Sequence, residues 1–399
     1  MLMSLTGVIV GVSLFILAQA HTSGFERLFI ESIWGTNGVI RISDKLQDTL
    51  RSMSVDSSPG EAGGFYYAHR KSKNYVHGIT NSEQVIDAVR QFRNVSGISP
   101  VLRGTVDLIS GGSSRPVDVY GIDLERHLMV SDLEDQIISG SLKRFRESPT
   151  GFLAGSLVAS RLGIETGDTA IAWSLGKNYR FRLSGIFETG ISQLDATRIF
   201  LHIDQARNVL KRPHGASFLQ VNLFDKERAP EDAYRMERVL RHIVASWQER
   251  ERSSLEVFRA LKISSALTVS TIIIISGLGM FNTLAIIVME KRREIAILRS
   301  IGYTRTDVSL IFLIQGGIIL AVGIVVGCIC GSILTFLASK IPINIQGVFT
   351  VDHIVVHWSF YHYIAAIITA TVVVLVASYF PSQKAARIEP AGIIRETSG

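Results

Sequence analysis

The stretch VSLIFLIQGGIILAVGIVVGCICGSILTFLAS, residues 308–339, decides the fold because it holds no charged residue and is longer than one bilayer crossing needs. About 20 apolar helical residues span a hydrocarbon core of about 30 Å. Residues 1–20, 263–289 and 359–380 meet the same requirement. The sequence therefore predicts an α-helical membrane protein with four transmembrane helices. We also expect a large α+β extracytoplasmic domain, residues 21–262, between the first two helices, as one domain or as two subdomains.

The first apolar stretch begins at residue 1, where a cleaved signal peptide is the competing interpretation. No Lys or Arg precedes it, and Gly7 with Gly11 forms a small-residue face suited to helix packing. We therefore expect a retained helix, with a cytoplasmic lead that is either missing or very short.

Basic residues near the span ends predict the orientation, since cytoplasmic loops carry an excess of Lys and Arg. The segments 290–307 and 381–399 contain Lys291, Arg292, Arg293, Arg299, Arg305, Lys384, Arg387 and Arg395. The loop 340–358 holds only Lys340. We expect the two basic segments in the cytoplasm, and residues 21–262 and 340–358 outside. Basic residues between 250 and 262 argue for the reverse, but long domains translocate largely regardless of charge.

The outer domain contains no cysteine, because Cys328 and Cys330 both lie in the third span, so its own core must stabilise it. Alternating apolar residues predict strands over 117–122, 179–187 and 219–223. Helical spacing predicts helices after a capping box of Thr80 and Glu83, over 153–162, and over 230–247. Residues 56–64, 111–116 and 144–151 have loop composition.

Residues 231–276 contain neither Pro nor Gly. Two interpretations stay open for this segment. It forms one nearly continuous helical stalk leading into the second span, or it forms two helices with a polar break around Ser253 and Ser254. A continuous stalk would transmit movement across the membrane.

The sequence carries no signature of catalysis. Neither the P-loop pattern G-x-x-x-x-G-K-[ST] nor the G-x-S-x-G elbow occurs, so we expect no catalytic residue, no bound cofactor and no ATP hydrolysis by this chain. His353, His357 and His362 are closely spaced, but the aromatic residues beside them favour an interfacial belt over a metal site. The net charge of +6 needs no nucleic-acid partner to explain it, because no basic cluster in the sequence alternates with stacking aromatic residues.

The cytoplasmic segment 290–302 is the most informative part of the chain for function. Its charges come first and large apolar residues follow, a pattern that water disfavours unless another surface covers it. We predict that it docks a cytoplasmic partner through Glu290, Lys291, Arg292, Arg293, Glu294, Ile295, Ile297, Leu298, Arg299, Ile301 and Gly302.

Glycines spaced by four residues predict close helix packing in the spans. The third span carries Gly323, Gly327 and Gly331, and the first carries Gly7 and Gly11. In the third span this leaves bare backbone over about 12 Å of one helix face. The partner helix belongs to the same subunit or to another one.

Several motifs together resemble those of one transporter family. They are MEKRREIAILRSIG at 289–302, IFLIQG at 311–316, PSQKAARIEP at 381–390, GVIVGV at 7–12, GFE at 24–26, LGIETGD at 162–168, GIFETG at 185–190 with Asp195, and Trp247 ahead of FRAL at 258–261. The chain resembles FtsX/MacB-like ABC transporter permeases along nearly its whole length. The motifs of the outer domain resemble the lipoprotein-releasing branch.

The resemblance implies a half-transporter of the bacterial inner membrane. It implies pairing with a second permease subunit, as a homodimer or heterodimer, and binding of a separate cytoplasmic ATPase that holds ATP and Mg. Mechanotransmission would then move the outer domains to release a lipoprotein, with or without a periplasmic carrier.

Three other functions remain open at this stage. A MacB-like exporter of a peptide or drug and an FtsX-like regulator of cell-wall hydrolases share the wide-family motifs, and a membrane-anchored enzyme or receptor is the third. The chain departs from the resemblance in lacking a basic N-terminal helix and in residues 47–78, which resemble an insertion. These departures leave the cargo unnamed.

Overall fold

The computed structural model describes residues 2–44, 78–240, 242–342 and 353–386. The chain divides into two compact units. One comprises Met1–Phe29, Ser253–Ile345 and Val351–Gly399, and is called the helical unit here. The other comprises Ile30–Arg252 and Gln346–Thr350, and is called the outer unit.

The described residues form helices and strands in the following chain order. The helices are α1 (Leu2–Asn37), α2 (Ser82–Val89), α3 (Leu124–Leu128), α4 (Leu142–Glu147), α5 (Ser156–Leu162), α6 (Ser192–Asp195), α7 (Ile203–Leu210), α8 (Ala229–Leu240), α9 (Trp247–Arg250), α10 (Arg252–Glu290), α11 (Arg292–Ser300), α12 (Arg305–Ala338) and α13 (Phe360–Ala386). The strands are β1 (Ile40–Ser43), β2 (Val95–Ser110), β3 (Ser113–Ile122), β4 (Ile137–Gly140), β5 (Gly151–Gly155), β6 (Thr169–Ser174), β7 (Lys177–Phe187), β8 (Arg198–His202), β9 (Phe218–Leu223) and β10 (Ile243–Ser246).

Helices α1, α10, α12 and α13 are long and apolar enough to cross a membrane. They are longer than the apolar stretches that predict them, because helical backbone bonding continues into polar sequence at their ends. Helix α1 continues beyond residue 20 to Asn37, and α10 begins at Arg252. Helix α13 continues through Pro381, which is buried, so that packing offsets the backbone hydrogen bond that proline lacks.

The core of the helical unit joins these four helices. It includes Val12 of α1, Ile273 of α10, Leu320 of α12 and Ala370 of α13. Polar pairs add to it, with Ser4 Oγ donating to Thr283 Oγ1 at 3.0 Å. The outward faces of α10, α12 and α13 carry exposed apolar side chains such as Ile318, as helices bounded by hydrocarbon do.

The outer unit is built on one mixed β-sheet. Its described strands follow the order β10-β1-β9-β2-β3-β8-β5-β7-β4, and β6 pairs with β2 and β7. The pairs β3–β8 and β5–β7 are parallel, and the other pairs are antiparallel. Apolar side chains cover both faces, in one cluster around Phe152 and Phe181 and another around Phe145 and Phe200. The predicted strands 117–122, 179–187 and 219–223 are confirmed within β3, β7 and β9.

Several local predictions for the outer unit are wrong because tertiary pairing overrides helical spacing. The helix predicted after Thr80 is confirmed as α2, but its N-cap is Asn81, and the predicted capping box of Thr80 and Glu83 does not form. Residues 151–155 form β5 between β7 and β8, so the helix predicted over 153–162 begins only at Ser156.

The helix predicted over 230–247 ends at Leu240, because residues 243–246 pair with β1 as strand β10. The stalk from residue 231 is therefore not continuous. The interruption lies before the predicted break, because Ser253 and Ser254 belong to α10.

The loop predictions have mixed outcomes. The turn of residues 111–112 is confirmed between β2 and β3, with positive φ at both glycines, whereas residues 113–116 of the predicted loop belong to β3. Residues 144–147 belong to α4, so that loop is shorter than predicted. Residues 56–64, most of the segment 47–78, and residues 387–399 lie outside the described residues.

Candidate functional site

Helix α11 occupies the predicted docking segment directly after α10. Glu290 is the last residue of α10, and Lys291 is the N-cap of α11. Lys291 Nζ lies 2.5 Å from Glu294 Oε1 in an exposed ion pair, which contributes about 0 to 1 kcal/mol. Arg292 and Arg293 are also exposed. The charged half of the segment therefore faces away from the helical unit.

The inner face of α11 packs on the helical unit. Ile295 is 3 % exposed and lies in a cluster with Val288, Val308, Phe312 and Ala385, which come from α10, α12 and α13. Its side chain is therefore not accessible to a partner. This corrects the assignment of Ile295 to the docking set, because helical periodicity turns it inward while its neighbours turn outward.

The outer face of α11 keeps apolar side chains exposed. Ile297 is 46 % exposed and Ile301 is 72 % exposed, four residues apart on one side of the helix. Leu298 is half-buried, and Tyr303 beyond the helix is exposed. We call Arg293, Ile297, Leu298, Ile301 and Tyr303 the docking surface, because they form the candidate surface for a partner.

Two local features separate α11 from α12. Gly302 has a φ of +114°, a conformation that favours glycine, and α12 follows with Thr304 as its N-cap. Thr304 Oγ1 accepts from Asp307 N–H at 3.2 Å, and Asp307 Oδ2 accepts from Thr304 N–H at 2.8 Å. This capping box was missed in the sequence, where Thr304 and Asp307 have the spacing that signals it.

Arg299 ties α11 to the end of α13. Its Nη1 donates to the carbonyl of Ala386 at 3.3 Å. Together with the Ile295 cluster, this contact joins α11 to three of the four long helices, α10, α12 and α13.

The glycines of α12 lie against α1 of the same chain. A Cβ added at Gly323 would lie 2.8 Å from Val8 Cγ1, and one at Gly327 would lie 2.9 Å from Val12 Cβ. At Gly331 it would lie 3.1 Å from Ile16 Cδ1. A larger residue at Gly323 or Gly327 would force its neighbour to shift, and one at Gly331 would make a tight contact, so the glycines allow a close approach of the two helices.

The glycines of α1 lie against α10. A Cβ at Gly7 would lie 2.8 Å from Ser276 Oγ, and one at Gly11 would lie 2.8 Å from Ile273 Cγ1. Helix α1 thus packs between α10 and α12, with a glycine face at each contact.

The approach to α13 packs on α1 as well. A Cβ at Gly24 would lie 2.3 Å from the carbonyl oxygen of Val355, and His357 N–H donates to the Ala20 carbonyl at 3.0 Å. His362 Nε2 lies 3.1 Å from Ser23 Oγ. The described residues contain no group of three or more His, Cys, Asp or Glu placed to hold a metal ion. Gly24 is the residue whose packing role the sequence reasoning missed.

The stretch GIFETG places two residues of the outer unit in contact. Asp195 Oδ1 accepts from the N–H of Thr189 at 2.9 Å and from its Oγ1 at 2.8 Å. Asp195 is fully buried at the end of α6. These hydrogen bonds stabilise the loop between β7 and α6, so the role of Asp195 there is structural.

Comparison with known proteins identifies the family. Residues 1–239 match the MacB-like periplasmic core domain, and residues 266–390 match the FtsX-like permease C-terminal family. The lipoprotein-releasing system transmembrane protein LolC of Xylella fastidiosa (strain Temecula1) is 23 % identical, with 98 % of this chain and 92 % of that protein aligned. The corresponding LolE of Haemophilus influenzae is 21 % identical, over 98 % of this chain and 93 % of that protein.

A relative that combines an ATP-binding part and a permease in one protein aligns over only part of its length. The macrolide export ATP-binding/permease protein MacB of Nitrobacter winogradskyi is 23 % identical over 97 % of this chain, but only 56 % of that protein is aligned. The long apolar helices, the glycine-packed contacts and these matches agree: the chain is a multi-pass membrane protein that belongs to the FtsX-like, MacB-like family of ABC transporter permeases.

Proposed function

We propose that this chain is the permease subunit of a lipoprotein-releasing ABC transporter in the bacterial inner membrane. It couples ATP hydrolysis by a separate ATPase subunit to extraction of lipoproteins from the bilayer. The observation that carries the proposal is the end-to-end alignment with LolC, which covers 98 % of this chain and 92 % of the relative. The macrolide exporter is matched over only 56 % of its length.

The docking surface supports the coupling part of the proposal. Ile297 and Ile301 expose apolar area beside Arg293, at the end of the chain's most basic loop. An ATPase that covers these side chains removes them from water, at about 25 cal/mol for each Å² of apolar surface buried. Because α11 is joined to α10, α12 and α13, movement of the ATPase is transmitted to those helices.

A second permease subunit and a lipid-anchored cargo complete the assembly in this proposal. LolC and LolE are separate relatives of similar coverage, so this chain pairs with a second copy or with a related chain. The acyl chains of the cargo are what distinguishes it from the substrate of a macrolide exporter.

The docking surface has a direct test. Ile301→Asp should weaken binding of the ATPase, and so reduce its copurification, by about fivefold to 150-fold, because burying an unpaired polar group costs about 1 to 3 kcal/mol and about 1.4 kcal/mol is tenfold. Val239→Asp is the matched control, since Val239 is 66 % exposed on α8 of the outer unit. Equal ATPase recovery with both variants would remove α11 from the interface.

The cargo has a separate test. The permease and its ATPase, reconstituted in proteoliposomes with a triacylated lipoprotein, should release the lipoprotein only when ATP is hydrolysed. The same protein without its acyl chains is the control, and it should stimulate neither release nor hydrolysis. ATP-dependent movement of a macrolide with no effect on the lipoprotein would contradict the proposal and favour a MacB-like exporter.

A further inference from the structure

A polar cavity of about 430 Å³ in the outer unit is lined by an excess of positive charge. Its charged lining residues are Arg41, Arg103, Arg198, Arg250, Asp118 and Glu251. Four guanidinium groups face two carboxylates, which leaves two positive charges unbalanced within the cavity.

The sheet holds these side chains in register. Residues directly opposite one another on neighbouring strands project from the same face. Arg41 of β1 lies opposite Gln220 of β9, Arg103 of β2 lies opposite Tyr120 of β3, and Asp118 of β3 lies opposite Arg198 of β8. The strands β1, β9, β2, β3 and β8 are consecutive in the sheet, so the cavity has a rigid floor.

The fourth arginine comes from a helix. Arg250 ends α9, and its Nη2 donates to the Gly38 carbonyl at 2.9 Å. Its Nη1 donates to the carbonyl of Asn37 at 3.4 Å. Backbone carbonyls therefore position Arg250 over the cavity without neutralising its charge.

Arg198 is buried with part of its guanidinium unsatisfied. The residue is 3 % exposed, and its Nη2 donates to Asn37 Oδ1 at 3.0 Å and to the Tyr120 hydroxyl at 3.3 Å. Nη1 is buried and has no hydrogen-bond partner among the described residues. A buried donor without a partner costs about 1 to 3 kcal/mol, and more when it is charged. Arg198 is one of the residues that line the cavity.

The other arginines leave the charge excess in place. Arg41 stacks on Phe218, 3.6 Å from the ring centroid, and its Nε is also buried without a partner in the part of the chain that the structure describes. Among the described residues, Arg103 forms an ion pair within the cavity, in which its Nη2 lies 2.7 Å from Asp118 Oδ2. Burial, and then the charge of Arg41, lowers the pKa of Arg250 to about 10, so the group stays protonated at neutral pH.

We propose that this cavity is a binding site for a phosphate group. Guanidinium groups match phosphate oxygens with paired hydrogen bonds, and a phosphomonoester carries about two negative charges at neutral pH, which equals the excess in the cavity. The volume exceeds that of one phosphate, so part of the molecule that bears it also enters. A soluble phosphate ester and a lipid headgroup share this chemistry.

The site is tested by calorimetric titration of the purified full-length chain in detergent, with inorganic phosphate and glycerol phosphate at constant ionic strength. Saturable binding is expected. Arg103→Gln, at the half-exposed rim, should weaken it at least tenfold, and Asp118→Asn should strengthen it by removing a competing carboxylate. Arg115→Gln is the control, since Arg115 is exposed on β3 outside the cavity and should leave binding unchanged.

Two further arms complete the experiment, and neither involves the ATPase or a lipoprotein, so the outcome is independent of the transport proposal. Nanodiscs with phosphatidic acid block the phosphate titration if the ligand is a lipid headgroup, whereas phosphatidylcholine nanodiscs do not. A soluble ester binds equally in both if the ligand is free in solution. Absence of saturable binding to every probe, or wild-type affinity in Arg103→Gln, would overturn the proposal.

Discussion

Asp195 is a carboxylate that the outer unit buries with only one of its two oxygens hydrogen-bonded. Oδ1 accepts two hydrogen bonds from Thr189, whereas Oδ2 has no partner among the described residues. Burial raises the pKa of Asp195 to about 6 against the opposing bonds from Thr189; nearby Glu188 raises it and Arg198 lowers it. The folded state therefore holds this proton more tightly than the unfolded state.

A pH series on Asp195→Asn tests this residue. Between about pH 4 and 6 the folded protein keeps the proton that the unfolded chain loses, so Asp195 makes stability fall as pH rises, by about 3 kcal/mol in total. Above pH 6 its contribution is constant. We therefore expect the urea midpoint of Asp195→Asn to fall less between pH 4 and 6 than that of the wild-type chain.

The readout is the difference in slope between the two proteins, since other groups, such as the buried His127, titrate in both. The amide nitrogen that replaces Oδ2 does not titrate, so it shifts the stability curve by the same amount at every pH without changing its slope. Parallel curves for the two proteins would show that Asp195 is ionised throughout.

At the scale of elements, the contact between α12 and α1 depends on the absence of side chains. Gly327 faces Val12, whereas Gly317 of the same helix has nothing within 4 Å of the position a Cβ would take. The two glycines are equivalent in helix propensity and differ only in what they face.

The prediction is that Gly327→Leu disrupts packing of the helical unit and Gly317→Leu does not. Overpacking of a tight contact costs about 1 to 3 kcal/mol, so Gly327→Leu should lower the midpoint of thermal aggregation in detergent and the yield of folded chain. Gly317→Leu should match the wild type in both. The same loss with both variants would mean that helix propensity or lipid contact, and not the α1 contact, limits the substitution.

Helix α11 shows why a linear pattern is insufficient to define the face of a proposed docking element. The run Ile295, Ile297, Leu298 and Ile301 is uniformly apolar in sequence. In the helix, Ile295 turns towards α10, α12 and α13, while Ile297 and Ile301 turn towards solvent. Periodicity separates the two faces, but only the packing determines which face is covered.

At the scale of the whole molecule, the orientation in the membrane is a prediction from charge. In a background of Cys328→Ala and Cys330→Ala, Ile301→Cys should react with a membrane-impermeant maleimide only in inverted membrane vesicles. Ser113→Cys, exposed in the outer unit, should react only from the periplasmic side. The cysteine-free protein is the control for background labelling, and the opposite pattern would establish the inverted topology.

The arginine cavity is a property of the whole outer unit, and no local sequence pattern predicts it. Arg41, Arg103 and Arg198 are separated by tens of residues and stand in no common motif. Sheet order and register bring them to one face, so the site depends on long-range pairing.

The sequence by itself determined the four apolar helices, the mixed α+β class of the outer unit and the transporter family. These properties follow from hydropathy, alternation and motifs, each of which acts over a few residues to a few turns. The tertiary structure decided that residues 243–246 are a strand, that Ile295 is covered, that the glycines of α12 face α1, and that four arginines converge. Each of these depends on a partner distant in sequence, and the free energy of that contact outweighs local preference.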